Sequence, residues 1–246
     1  MIPRIVHQTW RTRSLPAPFN AYRNSWRRLN PQWDHRLYDD EECRAFVKSV
    51  GGPWLEVYDG LTRPVQRSDL FRYLVVHRYG GLYADIDMEC FRAMDPVLGG
   101  RACVFAVEAH LTVRRQRELG YRRPIQIANC IFAAEAGHPL LAVVLERVRQ
   151  RATLPVRSDA DVEESTGPRL LTRVWETFDP SLKPGVQILP QIVWLSPHEY
   201  PNVFPLNVNM YARHHNAGTW KQDRRRLSLW SLWRRWVERN RPPWPW

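Results

Sequence analysis

Apolar positions recur along this chain in short runs of alternating type, and their spacing predicts an order of strands and helices. The run Pro3-Arg4-Ile5-Val6-His7-Gln8-Thr9-Trp10 is entered from a proline and leaves into polar residues, the pattern of a strand with a loop at its C-terminal end. Residues 17–29 pattern as a helix and His35 to Tyr38 as a second short strand. The clearest helix runs from Pro64 to Tyr79, since proline suits a first helical turn and Gly80-Gly81 supplies a flexible stop. At about 100° per residue, Leu70, Phe71, Leu74 and Val75 share the side expected to face the core, with Asp69, Arg72, Tyr73 and Val76 on the other. Leu82 to Asp87 then predicts a short strand whose alternation sends Asp85 and Asp87 to one face. Downstream, Ala102–Val107 and Ile127–Ala134 read as strands, His138–Arg151 as an amphipathic helix and residues 152–165 as an exposed loop. Thr166 is an N-cap candidate for a helix carrying Leu170, Leu171, Val174 and Trp175. Strands are expected again at Val186–Leu189 and Ile192–Leu195, with the proline-rich stretch Pro197–Pro205 irregular. Such alternation of strands and helices indicates an α/β fold.

Composition adds bounds. The 246 residues suffice for one domain with a full core, and 44% hydrophobic with 25% charged residues is ordinary globular usage. No apolar run approaches the roughly 18 residues of a membrane span, and the N-terminus lacks the apolar stretch of about 7–15 residues of a secretory signal. Cys43, Cys90, Cys103 and Cys130 form no Cys-x-x-Cys pair. They are therefore expected to be reduced thiols in a cytoplasmic protein.

The charge is unevenly placed. Of the net +11, residues 221–246 carry +6, from eight basic and two acidic side chains, together with five of the twelve tryptophans. The chain is therefore expected to divide into a catalytic-sized body, residues 1–222, and a basic, tryptophan-rich tail, residues 223–246. Residues 223–240 can form an amphipathic helix with Leu229, Trp230, Trp233, Trp236 and Val237 on one stripe and Arg224, Arg225, Arg235 and Arg239 outside it. Arginine with tryptophan in that pattern suits a membrane interface; packing of the stripe on the body or on a second subunit is the alternative. No nucleic-acid-binding motif accompanies the basic residues.

Asp85-Ile86-Asp87 carries the candidate chemistry. Paired carboxylates offer hard oxygen ligands to Mg²⁺ or Mn²⁺, ions that bridge to phosphate oxygens, although an Asp-x-Asp triplet alone also occurs in solvated turns. Its setting is more specific. Ser68-Asp69-Leu70-Phe71-Arg72-Tyr73-Leu74 with His77-Arg78-Tyr79-Gly80-Gly81-Leu82-Tyr83-Ala84-Asp85-Ile86-Asp87 resembles the signature of the DXD-containing sugar transferases. That family includes the yeast initiating α-1,6-mannosyltransferase, α-1,4-galactosyltransferases, capsular-polysaccharide transferases and, more distantly, the clostridial glucosylating toxins. The segment Ile2–Trp10 resembles the family's opening strand, and His214-His215-Asn216-Ala217-Gly218-Thr219-Trp220 resembles its closing His-His-x-x-Gly-Ser-Trp motif. Thr219 stands where serine is usual, and Asn216 where an aromatic residue is frequent.

The resemblance implies a GT-A-like, Rossmann-like domain that transfers a sugar from a UDP- or GDP-linked donor to a glycan or lipid-linked acceptor, with Mn²⁺ or Mg²⁺. It implies that Asp85 lies near ribose or metal, that Asp87 ligates the ion, and that His214 or His215 supplies a further ligand. It places Asp69, Arg72 and Asn129 at the donor sugar, Trp10 on the base, His7 and Gln8 beside the nucleotide, and Trp220 over the diphosphate. Asp69, Arg72 and Asp87 are the candidate catalytic residues. Similar enzymes retain anomeric configuration, and with no second carboxylate evident as a nucleophile a front-face route is the natural inference. A lipid-facing tail suggests a site peripheral to the inner face of the membrane. Two other readings remain: a metal-dependent phosphatase, which Glu89 after Met88 and the short approach to Asp85 disfavour, and a non-catalytic basic protein that binds membrane surfaces.

Overall fold

The computed structural model describes residues 1–195 and 209–219. The first apolar run forms β1 (Ile5–Thr9), followed by α1 (Ala17–Leu29) and β2 (Asp34–Tyr38). Two helices that the spacing of apolar residues does not predict come next, α2 (Asp40–Val50) and α3 (Trp54–Gly60). A local signal starts α2: Asp39 accepts from the Glu42 N–H at 2.9 Å while Glu42 accepts from the Asp39 N–H at 3.0 Å, which satisfies two donors a helix start leaves open. The long helix α4 (Pro64–Tyr79) leads through β3 (Gly81–Ala84), β4 (Met88–Cys90) and α5 (Asp95–Leu98) to β5 (Cys103–His110). There follow α6 (Val113–Leu119), β6 (Ile125–Ile127), β7 (Ile131–Ala134), α7 (Pro139–Arg151), α8 (Asp159–Ser165) and α9 (Pro168–Thr177). Then come β8 (Val186–Leu189), α10 (Gln191–Trp194) and β9 (Ala212–His214).

Seven strands make one mixed sheet in the order β2-β1-β3-β7-β5-β6, with β8 on β5. β1 runs parallel to β2 and β3, whereas β7 is antiparallel to both β3 and β5. Strand alternation sends side chains to two cores. Tyr83, Phe105 and Phe132 face one, under α4, α7 and α9; Leu82, Val104 and Ile131 face the other, with Trp26, Met88 and Trp194. A sheet buried on both faces explains why its central strands read as apolar runs.

At the end of α4 the chain must reverse into β3. Gly80 and Gly81 adopt φ of 66° and 102°, and a Cβ on Gly81 would sit 2.7 Å from the Ile5 carbonyl oxygen. The glycines therefore fix a tight left-handed turn against β1 rather than a flexible stop.

Several expectations change. The face of α4 bearing Asp69, Arg72, Tyr73 and Val76 is buried as completely as the apolar face, because the helix is also covered by the α8–α9 corner. Asp85 to Asp87 is not strand: β3 stops at Ala84, and the Met88 N–H bonds back to the Asp85 carbonyl at 3.0 Å, closing a turn. The run Ile127–Ala134 splits, since its first part pairs with the end of β5 and its second with β3, leaving Asn129 and Cys130 in the break. Residues 152–165 contain α8, whose Ser158 and Asp161 cap one another, with Val162 and Ser165 buried beneath. Gly167, not Thr166, is the N-cap of α9. Ile192–Leu195 forms a helical turn instead of a strand, with the Leu195 N–H on the Gln191 carbonyl and Trp194 fully buried. Pro197–Pro205, the tail helix and the boundary at residue 222 lie outside the described residues. No helix of the described residues is long and apolar enough to cross a membrane.

Candidate functional site

A cleft of about 620 Å³ opens above the C-terminal ends of β1, β3 and β5, the edge at which open α/β sheets bind ligands. Trp10 and Arg11 after β1, Asp85 to Asp87 after β3 and Glu108 near the end of β5 line it together with Ser68, Asp69 and Arg72 of α4. Asn129 and Cys130 enter from the break before β7, and His214 with Ala217 to Thr219 closes one side.

The turn after β3 brings the two aspartates to one point by geometry other than strand alternation. Asp85, Asp87 and His214 place a carboxylate or imidazole ligand atom each within 4.8 Å of the others. His214 reaches this place because β9 pairs antiparallel with β4, setting His214 opposite Met88. Its Nε2 lies 3.2 Å from Asp87 Oδ1, while the Ala217 N–H donates to Asp87 Oδ2 at 2.8 Å. Burial disfavours the Asp87 anion, yet the bonds from His214 and Ala217 outweigh it and hold the carboxyl below its usual range. Burial likewise works against the His214 cation, but Cys130 and Asp87 hold its pKa well above the ordinary histidine value.

His215 points elsewhere. It stacks on Tyr22 with centroids 4.1 Å apart, and its Nε2 lies 2.9 Å from Glu89. Of the two candidate histidine ligands, the structure therefore brings His214 to the aspartates.

Behind this cluster lies a buried ionic network. Arg72, 5% exposed, contacts Asp69 and Asp85 at 3.2 Å each, donates to the Asn129 carbonyl at 2.9 Å and lies over the Tyr83 ring. Asp69 also accepts from Asn129 Nδ2 at 3.0 Å and from the Thr166 hydroxyl at 2.7 Å. Asp85 accepts from the Tyr83 hydroxyl at 2.9 Å. Burial raises the Asp69 pKa to about 6, with Arg72 pulling it back, so that its donors meet an anion at neutral pH. Asp85 is raised by burial as well, again opposed by Arg72. One guanidinium thus serves two carboxylates, one on its own helix and one after β3.

Trp10 stands at the cleft edge, packed edge-on against Phe19 with Arg11 over its ring. His7 and Gln8 do not reach the cleft. His7 is fully buried between the Gly80 carbonyl and the Tyr38 hydroxyl, and Gln8 is 2% exposed. Both belong to the packing of β1, the interior strand positions that alternation assigns them. Trp220 lies outside the described residues. Tyr83 and Cys130 are the site residues that the sequence reading does not place, since both look like core strand residues; Thr166-Gly167-Pro168 resembles a motif of the DXD family, but a helix cap explains it equally well, and no site role follows from the sequence.

Comparison with known proteins agrees with this geometry. The family described as "Glycosyltransferase sugar-binding region containing DXD motif" matches residues 16–104. Inositol phosphoceramide mannosyltransferase 3 of Schizosaccharomyces pombe is 32% identical over 178 residues, covering 72% of this chain and 46% of that protein. The initiation-specific alpha-1,6-mannosyltransferase of the same yeast is 26% identical, covering 90% of this chain and 64% of that one. The chain spans about half the length of the first of these relatives and less than two thirds of the second. Among solved structures, the PaToxG glycosyltransferase superposes with a TM-score of 0.54 at 16% identity, covering 73% of this chain and 71% of that one, which supports the GT-A-like architecture. With the DXD turn, the preceding Asp69–Arg72 helix and the mixed sheet all in place, residues 16–104 of the chain match the glycosyltransferase sugar-binding region that contains a DXD motif.

Proposed function

We propose that the protein transfers a sugar from a nucleoside diphosphate sugar to a hydroxyl of a glycan or lipid-linked acceptor, with a divalent cation held by Asp85, Asp87 and His214. The observation that carries this reading is the convergence of those three side chains on a cleft that also exposes the Asp69–Arg72–Asn129 network. Two carboxylates and an imidazole fit Mn²⁺ well, since it accepts nitrogen more readily than Mg²⁺ does. A cation bound there supplies Lewis-acid stabilisation of the departing diphosphate.

The chain's own groups do the rest. The Ala217 N–H keeps Asp87 oriented and anionic, and Tyr83 and Arg72 orient Asp85. Asp69, with both oxygens already engaged, is suited to accept from a sugar hydroxyl and unsuited to attack an anomeric carbon. That supports a front-face, retaining course, for which NMR of the product anomer is the test. Trp10 offers an indole for the base.

The relatives named as mannosyltransferases make a mannosyl donor the first to try, and the first of those names makes inositol phosphoceramide the first acceptor to try. The basic tail supports a place at the inner membrane face; loss of binding to anionic vesicles on truncation after Gln222 is its test. The activity test is release of GDP or UDP from a donor panel with Mn²⁺, comparing the native chain with Asp87→Asn. Metal-dependent release that disappears in the variant is expected; equal release from both refutes the assigned role of Asp87.

A further inference from the structure

Gln66, Asp69 and Tyr73 are spaced three and four residues apart, so they form one stripe along α4. Each meets the α8–α9 corner. Gln66 Nε2 donates to Ser165 Oγ at 2.9 Å, the Thr166 hydroxyl donates to Asp69 Oδ2 at 2.7 Å, and the Tyr73 hydroxyl donates to the Thr166 carbonyl at 3.1 Å. Thr166 is fully buried and does not line the cleft, whereas Asp69 does. A hydroxyl has one proton to give. The alternative acceptor, the Val162 carbonyl, is 3.4 Å away and uncharged, so the nearer carboxylate takes it.

The corner itself is tightly built. At Gly167 a Cβ would come within 2.8 Å of Glu163 Cα, which holds the end of α8 against the start of α9. Glu163, Gly167 and Pro168 line the cleft wall beside Asp69. The Asp69 carboxylate is thus held from three places: by the charge of Arg72 on its own helix, and by hydrogen bonds from Asn129 in the strand break and Thr166 in the corner. An ionised carboxylate has about four acceptor sites, so capacity is left for a ligand.

We infer that Thr166 is a positioning residue for donor recognition, its hydroxyl aiming Asp69 at a hydroxyl of the transferred sugar. The inference rests on the transferase reading above. If the hydroxyl acts through Asp69, its loss affects recognition of the sugar and spares recognition of the nucleotide. A purely structural bond of the same corner would affect both or neither.

The test is calorimetric binding of GDP-mannose against GDP, and of UDP-glucose against UDP, to the full chain and three variants in the presence of Mn²⁺. Thr166→Val keeps the shape and removes the donor; Thr166→Ser restores it. Ser165→Ala cuts a hydrogen bond across the same contact without touching Asp69. Thr166→Val is expected to lose about tenfold or more in affinity for the nucleotide sugar relative to its nucleoside diphosphate, as for other hydrogen bonds to charged groups. Thr166→Ser and Ser165→Ala keep the native ratio. If valine prevents folding, Thr166→Ala carries the same expectation. An unchanged ratio in the hydroxyl-free variant, or the same loss in Ser165→Ala, overturns the positioning role alone. A native chain that binds neither pair overturns the transferase reading and this inference with it.

Discussion

Replacing His7 by glutamine is expected to remove an acid-sensitive part of the protein's stability. His7 sits in β1 with no exposed surface; its Nε2–H donates to the Gly80 carbonyl at 3.0 Å, and Nδ1 accepts from the Tyr38 hydroxyl at 3.2 Å. This pairing uses a neutral ring. Burial, only partly offset by the Gly80 carbonyl, lowers the pKa from 6.5 to about 4. As pH falls below 6.5 the unfolded chain takes up a proton that the folded chain refuses until about 4. Stability is therefore complete above pH 6.5 and is lost as pH falls towards 4. At about 1.4 kcal/mol per pKa unit the loss across this interval is about 3 kcal/mol, a large share of a typical domain's stability.

The native profile alone does not isolate the effect, because Asp69 has the opposite sign. Its folded pKa is raised from 3.8 to about 6, so its contribution grows as pH falls through the same range. The difference between native chain and variant cancels every group the two share. Urea unfolding followed by tryptophan fluorescence, at intervals from pH 7.5 to 4.5, gives that difference. The advantage of the native chain over His7→Gln should shrink by about 2–3 kcal/mol on acidification, whatever its size at pH 7.5. A constant difference would refute the assignment of a buried neutral ring.

Arg72→Met leaves the buried Asp69 and the partly exposed Asp85 without their shared cation, and a loss of about 3–5 kcal/mol in urea unfolding at pH 7 is expected; a loss under about 1 kcal/mol would mean that the carboxylates are not charged partners of the guanidinium. For the histidines, His214→Ala should weaken Mn²⁺ binding by about tenfold or more, while His215→Ala should leave it within about threefold, as titrated by electron paramagnetic resonance. Equal effects would contradict the assignment of His214 as the ligand.

Local pattern alone was enough for the elements whose signal is contained in a few neighbouring residues. The strand opening at Ile5, the helix from Ala17 to Leu29 and the helix from Pro64 to Tyr79 follow from apolar spacing, first-turn prolines and the terminal Gly80-Gly81. Asp39 and Ser158 also carried legible start signals, each with an acid three residues on, but weak apolar patterns around them hid α2 and α8. The motif of two aspartates was legible as chemistry, although alternation was the wrong reason for their convergence. A helix reads as amphipathic only when one side meets water, and the middle of α4 is buried on its polar side as well as its apolar one, so its polar stripe looked like a solvent face.

Tertiary structure decided what depends on partners distant in sequence. The choice of His214 over His215 comes from the pairing of β9 with β4, about 125 residues apart along the chain, which no local pattern records. The same holds for Arg72 between two carboxylates and for Thr166 on Asp69, where burial converts an ordinary hydroxyl and an ordinary ion pair into fixed parts of the site. Spacing along the chain could name the groups that hold charge, because residue type determines chemistry. Which of them meet, and which way each carboxylate points, is set by sheet order and by the packing of the corner against α4, and these exist only once the chain has folded.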